Sequence, residues 1–100
     1  MLSRMKHFWG KTFTDESGRP KQGHEYQILY NSFGCEEMGI ILRWHNGKLN
    51  DDGDLPAVEF QDTHTEHYQN GLLHNEGKAA VIADYGTQYE YYTEGKQESL

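Results

Sequence analysis

One cysteine, Cys35, and two prolines occur among the 100 residues, and no apolar run approaches the roughly 20 residues of a membrane helix. A lone cysteine excludes an internal disulfide, which fits a reducing, cytoplasmic setting. Basic residues stand near the start, at Arg4 and Lys6, but no apolar stretch follows them, so no signal peptide is expected. Basic residues are also scarce in the second half. Residues 51–100 hold two Lys/Arg (Lys78 and Lys96) against eleven Asp/Glu, whereas residues 1–50 hold seven against five. Such a field repels nucleic-acid backbones and anionic membranes and attracts a basic protein surface. Hydrophobic residues reach only 35%, but 13% of the chain is aromatic, enough large rings to build a thin core. The length fits a single domain over 1–100.

What is present is a repeat. Trp44-His45-Asn46-Gly47-Lys48, Tyr68-Gln69-Asn70-Gly71-Leu72 and Tyr92-Thr93-Glu94-Gly95-Lys96 place an aromatic and a glycine at one fixed interval of 24 residues. Asp51-Asp52-Gly53-Asp54-Leu55-Pro56-Ala57-Val58 answers to Asn75-Glu76-Gly77-Lys78-Ala79-Ala80-Val81 with one residue deleted. A recurring supersecondary unit is the physical meaning of such a period.

Asn-Gly is the strongest short hairpin signal, because a type I′ turn needs φ > 0 at both central residues. Ile40 to Trp44 is an apolar run ending in one such turn, and Ala57 to Phe60 and Ala80 to Ile82 supply further strands. Tyr26, Ile28 and Tyr30 alternate at period two, so residues 25–30 read as a strand broken by Asn31-Ser32-Phe33-Gly34. Residues 7–9 and 12–13 read as short extended pieces, and 15–20 as a loop. Apolar spacing at helical intervals is not sustained anywhere. The expectation is an all-β protein, a twisted antiparallel meander of β-hairpin repeats over 37–96 behind an atypical N-terminal β/loop portion over 1–36.

The unit carried by Trp44, Asn46, Gly47, Leu49, Asn50, Gly53, Pro56, Ala57 and Val58, and again by Tyr68, Asn70, Gly71, Leu73, His74, Gly77, Ala80 and Val81, resembles the MORN-like β-hairpin repeats of bacterial and tailed-phage proteins. The resemblance covers about residues 40–96 and implies a hairpin-repeat fold and, by analogy, a binding role. The standard unit's Tyr-x-Gly-x-Trp core and shorter period are absent, and Ala79 stands where the first copy has proline. Lipid binding is therefore not carried over.

Catalytic chemistry finds little purchase. Cys35 precedes Glu36 and Glu37, whose charges oppose a reactive thiolate. Six histidines (His7, His24, His45, His64, His67 and His74) raise a metal site, but His64 and His67 on a strand point to opposite faces. No phosphate loop precedes a helix. No catalytic residue, metal or cofactor is assigned. Trp44, Tyr68 and Tyr92 read as a core ladder, and the tyrosines at 89 and 91 as surface area for a partner.

The resulting expectation is a non-enzymatic protein-binding module that makes no direct contact with nucleic acid or membrane. Asp51, Asp52, Asp54, Glu59, Asp62, Glu66, Tyr89 and Tyr91 would meet a basic surface on a nucleic-acid-handling protein, in the manner of phage inhibitors of the anti-CRISPR or anti-restriction class. The alternative is a scaffold whose repeats associate with copies of themselves.

Overall fold

A computed structural model describes Met5 and residues 8–30, 33–34, 36–60 and 64–98. His7, Asn31, Ser32, Cys35 and Asp62, all named above, lie outside the described residues. Among the described residues eleven strands follow in order: β1 (Gly23–Tyr30), β2 (Glu36–His45), β3 (Lys48–Leu49), β4 (Val58–Phe60), β5 (His64–Glu66), β6 (Tyr68–Gln69), β7 (Leu72–Leu73), β8 (Val81–Ala83), β9 (Gln88–Glu90), β10 (Tyr92–Thr93) and β11 (Lys96–Gln97). The all-β class expected from the sequence is the class found.

The main sheet runs β1-β2-β4-β5-β8-β9, antiparallel throughout, with β3 paired to the end of β2. Two further hairpins, β6-β7 and β10-β11, continue the lines of β5 and β9. The three hairpins share one register, pairing Trp44 with Leu49, Tyr68 with Leu73 and Tyr92 with Gln97. Their turns share one backbone too. Asn46 and Gly47 have φ of 50° and 82°, Asn70 and Gly71 50° and 83°, and Glu94 and Gly95 48° and 84°. Glycine tolerates that region freely and asparagine better than most, and the third turn holds glutamate to the same geometry.

Strand alternation divides the sheet into two faces. Glu25, Leu42, Val58, Glu66, Val81 and Glu90 form one cross-strand row on the inner face, continuous through the paired register. Ile40, Leu42, Trp44, Leu49, Val58, Phe60, Tyr68, Leu73, Val81 and Tyr92 are buried there. Each fully buried apolar side chain of this size contributes about 1.5–3 kcal/mol.

The N-terminal segment covers this core. Phe8, Trp9 and Phe13 pack against it, with Phe8 and Phe13 centroids 6.0 and 5.4 Å from the Trp44 ring and Trp9 6.3 Å from Tyr92. Of the expected extended piece over 7–9, Phe8 and Trp9 are corrected: they lie in a tight turn, in which the Phe8 amide donates to the Met5 carbonyl at 2.9 Å and the Lys11 amide to the Phe8 carbonyl at 3.3 Å. The reason is geometric: Phe8 and Trp9 are adjacent yet both reach the core, and a strand would send them to opposite faces.

The same segment also begins the stack of hairpins. The amides of Gly47, Gly71 and Gly95 each donate, at 2.8 Å, to the carbonyls of Lys21, Leu49 and Leu73. One residue earlier in each turn, the amides of Asn46, Asn70 and Glu94 donate to side chains of Gln22, Asn50 and His74 at 3.1, 2.9 and 3.1 Å. Lys21 and Gln22 thus do for the first turn what Leu49 and Asn50 do for the second.

Candidate functional site

The outer face of the sheet carries its own cross-strand row: Tyr26, Ile41, Glu59, Thr65, Ile82 and Tyr89, one residue from each of the six strands. Tyr26 and Tyr89 stand at its ends, 63% and 53% exposed. Gly39 makes room for the first of these. A Cβ there would fall 2.1 Å from the Tyr26 hydroxyl, so only glycine lets that ring lie across the sheet. In the middle, Arg43 donates to a Glu59 carboxylate oxygen and, at 2.8 Å, to the Pro56 carbonyl.

Two grooves of about 600 Å³ each flank the row, where the loops between hairpin and next strand rise beside it. The first is lined by Asp51, Asp54, His67, Ile82, Tyr89 and Tyr91, with Lys78 on its far loop. The second is lined by His24, Ile41, Arg43, Asp52 and Leu55, and shares Asp51. Arg43, His67 and Tyr91 hold like places beside the three hairpins: the amides of Asn50, His74 and Glu98 donate to their carbonyls at 3.1, 3.0 and 2.8 Å.

Asp51 is the wall between the grooves, and its carboxylate is already engaged. Oδ1 accepts the Ala57 amide at 2.8 Å and the Tyr68 amide at 3.0 Å, and Oδ2 lies 2.7 Å from His67 Nδ1. These bonds clamp the loop to the next repeat, so Asp51 shapes the site. Asp52 and Leu55 exchange backbone hydrogen bonds of 3.0 Å, closing a turn that presents Asp52 and Asp54 to solvent.

Of the residues expected to meet a partner, Asp51, Asp54, Tyr89 and Tyr91 line one groove, Asp52 the other, and Glu59 sits mid-face in its pair with Arg43. Asp62 lies outside the described residues. Glu66 is a correction. It is 0% exposed on the inner face, where Tyr68 donates to Oε1 at 2.6 Å and His64 Nε2 lies 2.6 Å from Oε2. A carboxylate held there cannot touch a partner, and the parity it shares with core Tyr68 was the signal for it. His64 and His67 do point to opposite faces, one into the core and one toward Asp51. Tyr26, Ile41 and Ile82 were not singled out for the site, since their shared face depends on a six-strand register, and neither was Leu55, which closes the turn with Asp52.

Elsewhere, burial raises the Glu25 carboxyl, but hydrogen bonds from Lys21 (2.8 Å) and Trp44 (2.7 Å) and the Lys21 charge outweigh it and leave its pKa lowered. Among the described residues no three His, Cys, Asp or Glu side chains group in a way that could hold a metal ion, and no helix is long and apolar enough to cross a membrane. No known protein family, curated protein or solved structure matches this chain.

Proposed function

We propose that the chain is a non-enzymatic protein-binding module and that its outer sheet face is the contact surface. The observation that carries this reading is the outer row with exposed Tyr26 and Tyr89 at its ends and half-buried residues between them, flanked by the acidic turn at Asp52–Asp54. Solvent-facing aromatic area beside free carboxylates suits a protein surface rich in Lys and Arg: tyrosine supplies contact area at little entropy cost, and the charges steer encounter. A nucleic-acid-handling protein offers such a surface, and its occupation would inhibit it in the way of phage-borne anti-restriction or anti-CRISPR inhibitors. The MORN-like repeat reading agrees with a binding role and adds no partner.

The test is capture from a bacterial lysate on immobilised protein at low and high salt, beside a D52K/D54K variant and with duplex DNA as competitor. A basic protein retained only at low salt, displaced by DNA and missed by the variant is expected. Capture of partners that are neither basic nor salt-sensitive sinks the reading.

Self-association is the second reading, favoured by β9 at the end of the sheet order with Gln88 and Tyr89 exposed. Light scattering decides it. A monomer at high micromolar concentration removes it.

A further inference from the structure

Resting on that protein-binding reading, we infer that the segment this face receives is a basic peptide in the polyproline II conformation, lying across the strands.

The repeat spacing selects the conformation. Successive units occupy every second strand of the sheet, as β2, β5 and β9 do in the order β2-β4-β5-β8-β9. Neighbouring strands lie about 4.8 Å apart, so equivalent positions recur about every 9.6 Å along the sheet. A polyproline II helix advances about 3.1 Å per residue with three residues per turn, hence about 9.3 Å per turn. Every third residue of such a peptide therefore meets the next equivalent position. An extended β peptide repeats its facing side chains about every 6.7 Å, and an α-helix turns every 5.4 Å, so both fall out of step after one unit.

The groove walls select the chemistry. Ile82, Tyr89 and Tyr91 line the first groove and Ile41 and Leu55 the second, giving apolar and aromatic walls suited to proline rings. Between them stands the turn that exposes Asp52 and Asp54, one lining each groove. Asp51 lines both grooves but has both carboxylate oxygens engaged, which leaves Asp52 and Asp54 as the carboxylates that take a cation. The ligand class is thus proline at every third position with Lys or Arg between. The peptide's rigidity lowers the ordering cost of binding along so shallow a face.

Three synthetic nonapeptides test this by fluorescence anisotropy against the full chain: three copies of Pro-Arg-Lys, of Gly-Arg-Lys, and of Pro-Gln-Gln. The first should bind at least about tenfold more tightly than either other. Tyr89→Ala, on an exposed side chain whose loss leaves the core intact, and D52K/D54K should each weaken it by about tenfold or more. Equal binding of the Gly-Arg-Lys peptide overturns the conformation and leaves the basic-partner reading standing. Binding of the Pro-Arg-Lys peptide that is indifferent to both variants, or no binding of it at all, overturns the inference, while lysate capture judges the broader reading separately.

Discussion

The Gly71 amide donates to the Leu49 carbonyl at 2.8 Å, which ties the turn of one hairpin to the exit strand of the hairpin before it. Gly71 holds φ of 83° in that turn, after Asn70 at 50°. Gly47 makes the equivalent bond under the N-terminal segment, where space is shorter.

The two glycines should therefore differ on substitution. Valine at either position is forced to positive φ, a strain of about 1–3 kcal/mol. At Gly71 a Cβ would find its nearest neighbour at 3.5 Å, an ordinary contact, so backbone strain is the leading cost. At Gly47 it would lie 2.6 Å from Thr12 Cγ2 and 2.7 Å from the Phe13 carbonyl, and the covering segment must move as well. Thermal unfolding should rank Gly47→Val as least stable, then Gly71→Val, with the exposed control Gln97→Val near the parent. Two glycine variants that melt with the control contradict the stacked-turn account.

A second expectation concerns the buried pair His64 and Glu66. At the equivalent inner positions the first repeat carries Ile40 and Leu42, both buried. Removing one member of a buried pair strands the other, at about 3–5 kcal/mol, whereas replacing both with apolar groups of similar size is often far cheaper. His64→Ile and Glu66→Leu should each destabilise strongly, and the double variant should be more stable than the two single losses added together. Denaturant midpoints supply the cycle, and strict additivity would show that the pair is not coupled.

That pair also marks the limit of what was legible. The all-β class and the turn glycines are written locally, because a positive φ needs a particular residue at a particular place. Burial of Glu66 follows only from strand phase: a charge count assigns it to the surface, and its parity with Tyr68 assigns it to the core. The capping role of Lys21 was hidden more deeply, since it is performed by a backbone carbonyl that every residue type possesses. The outer row and its grooves depend on pairing between strands far apart in sequence. Asp52, Asp54, Tyr89 and Tyr91 were named as separate residues, without the grooves that they line.

The cap can be tested at Gln22, whose Oε1 accepts the Asn46 amide at 3.1 Å and whose Nε2 donates to Asn46 Oδ1 at 2.6 Å. Asn50 serves the next turn with one such bond, from the Asn70 amide at 2.9 Å, and also donates to the Asp51 carbonyl at 2.8 Å. Gln22→Ala and Asn50→Ala should each lose about 1 kcal/mol, the net worth of one or two partly exposed hydrogen bonds. Amide exchange separates them: the first should speed exchange at Asn46 and the second at Asn70. A change spread evenly over all three turns would contradict residue-by-residue stacking.

Alkaline pH provides the last expectation. Burial, the hydrogen bond that Tyr92 donates to Glu90 at 3.0 Å, and the charges of Glu90 and Glu66 together push the Tyr92 hydroxyl up to about 12 from 10.0. The neutral form is the one the fold favours. Its contribution to stability is therefore complete below the unfolded value near pH 10 and is lost as pH rises through the folded value near 12. Denaturant midpoints measured from pH 9 to 12 should fall more steeply in the parent than in Tyr92→Phe, which has no proton to release. If Tyr92→Phe keeps the parental alkaline slope, ionisation of the Tyr92 hydroxyl is not what lowers stability at alkaline pH.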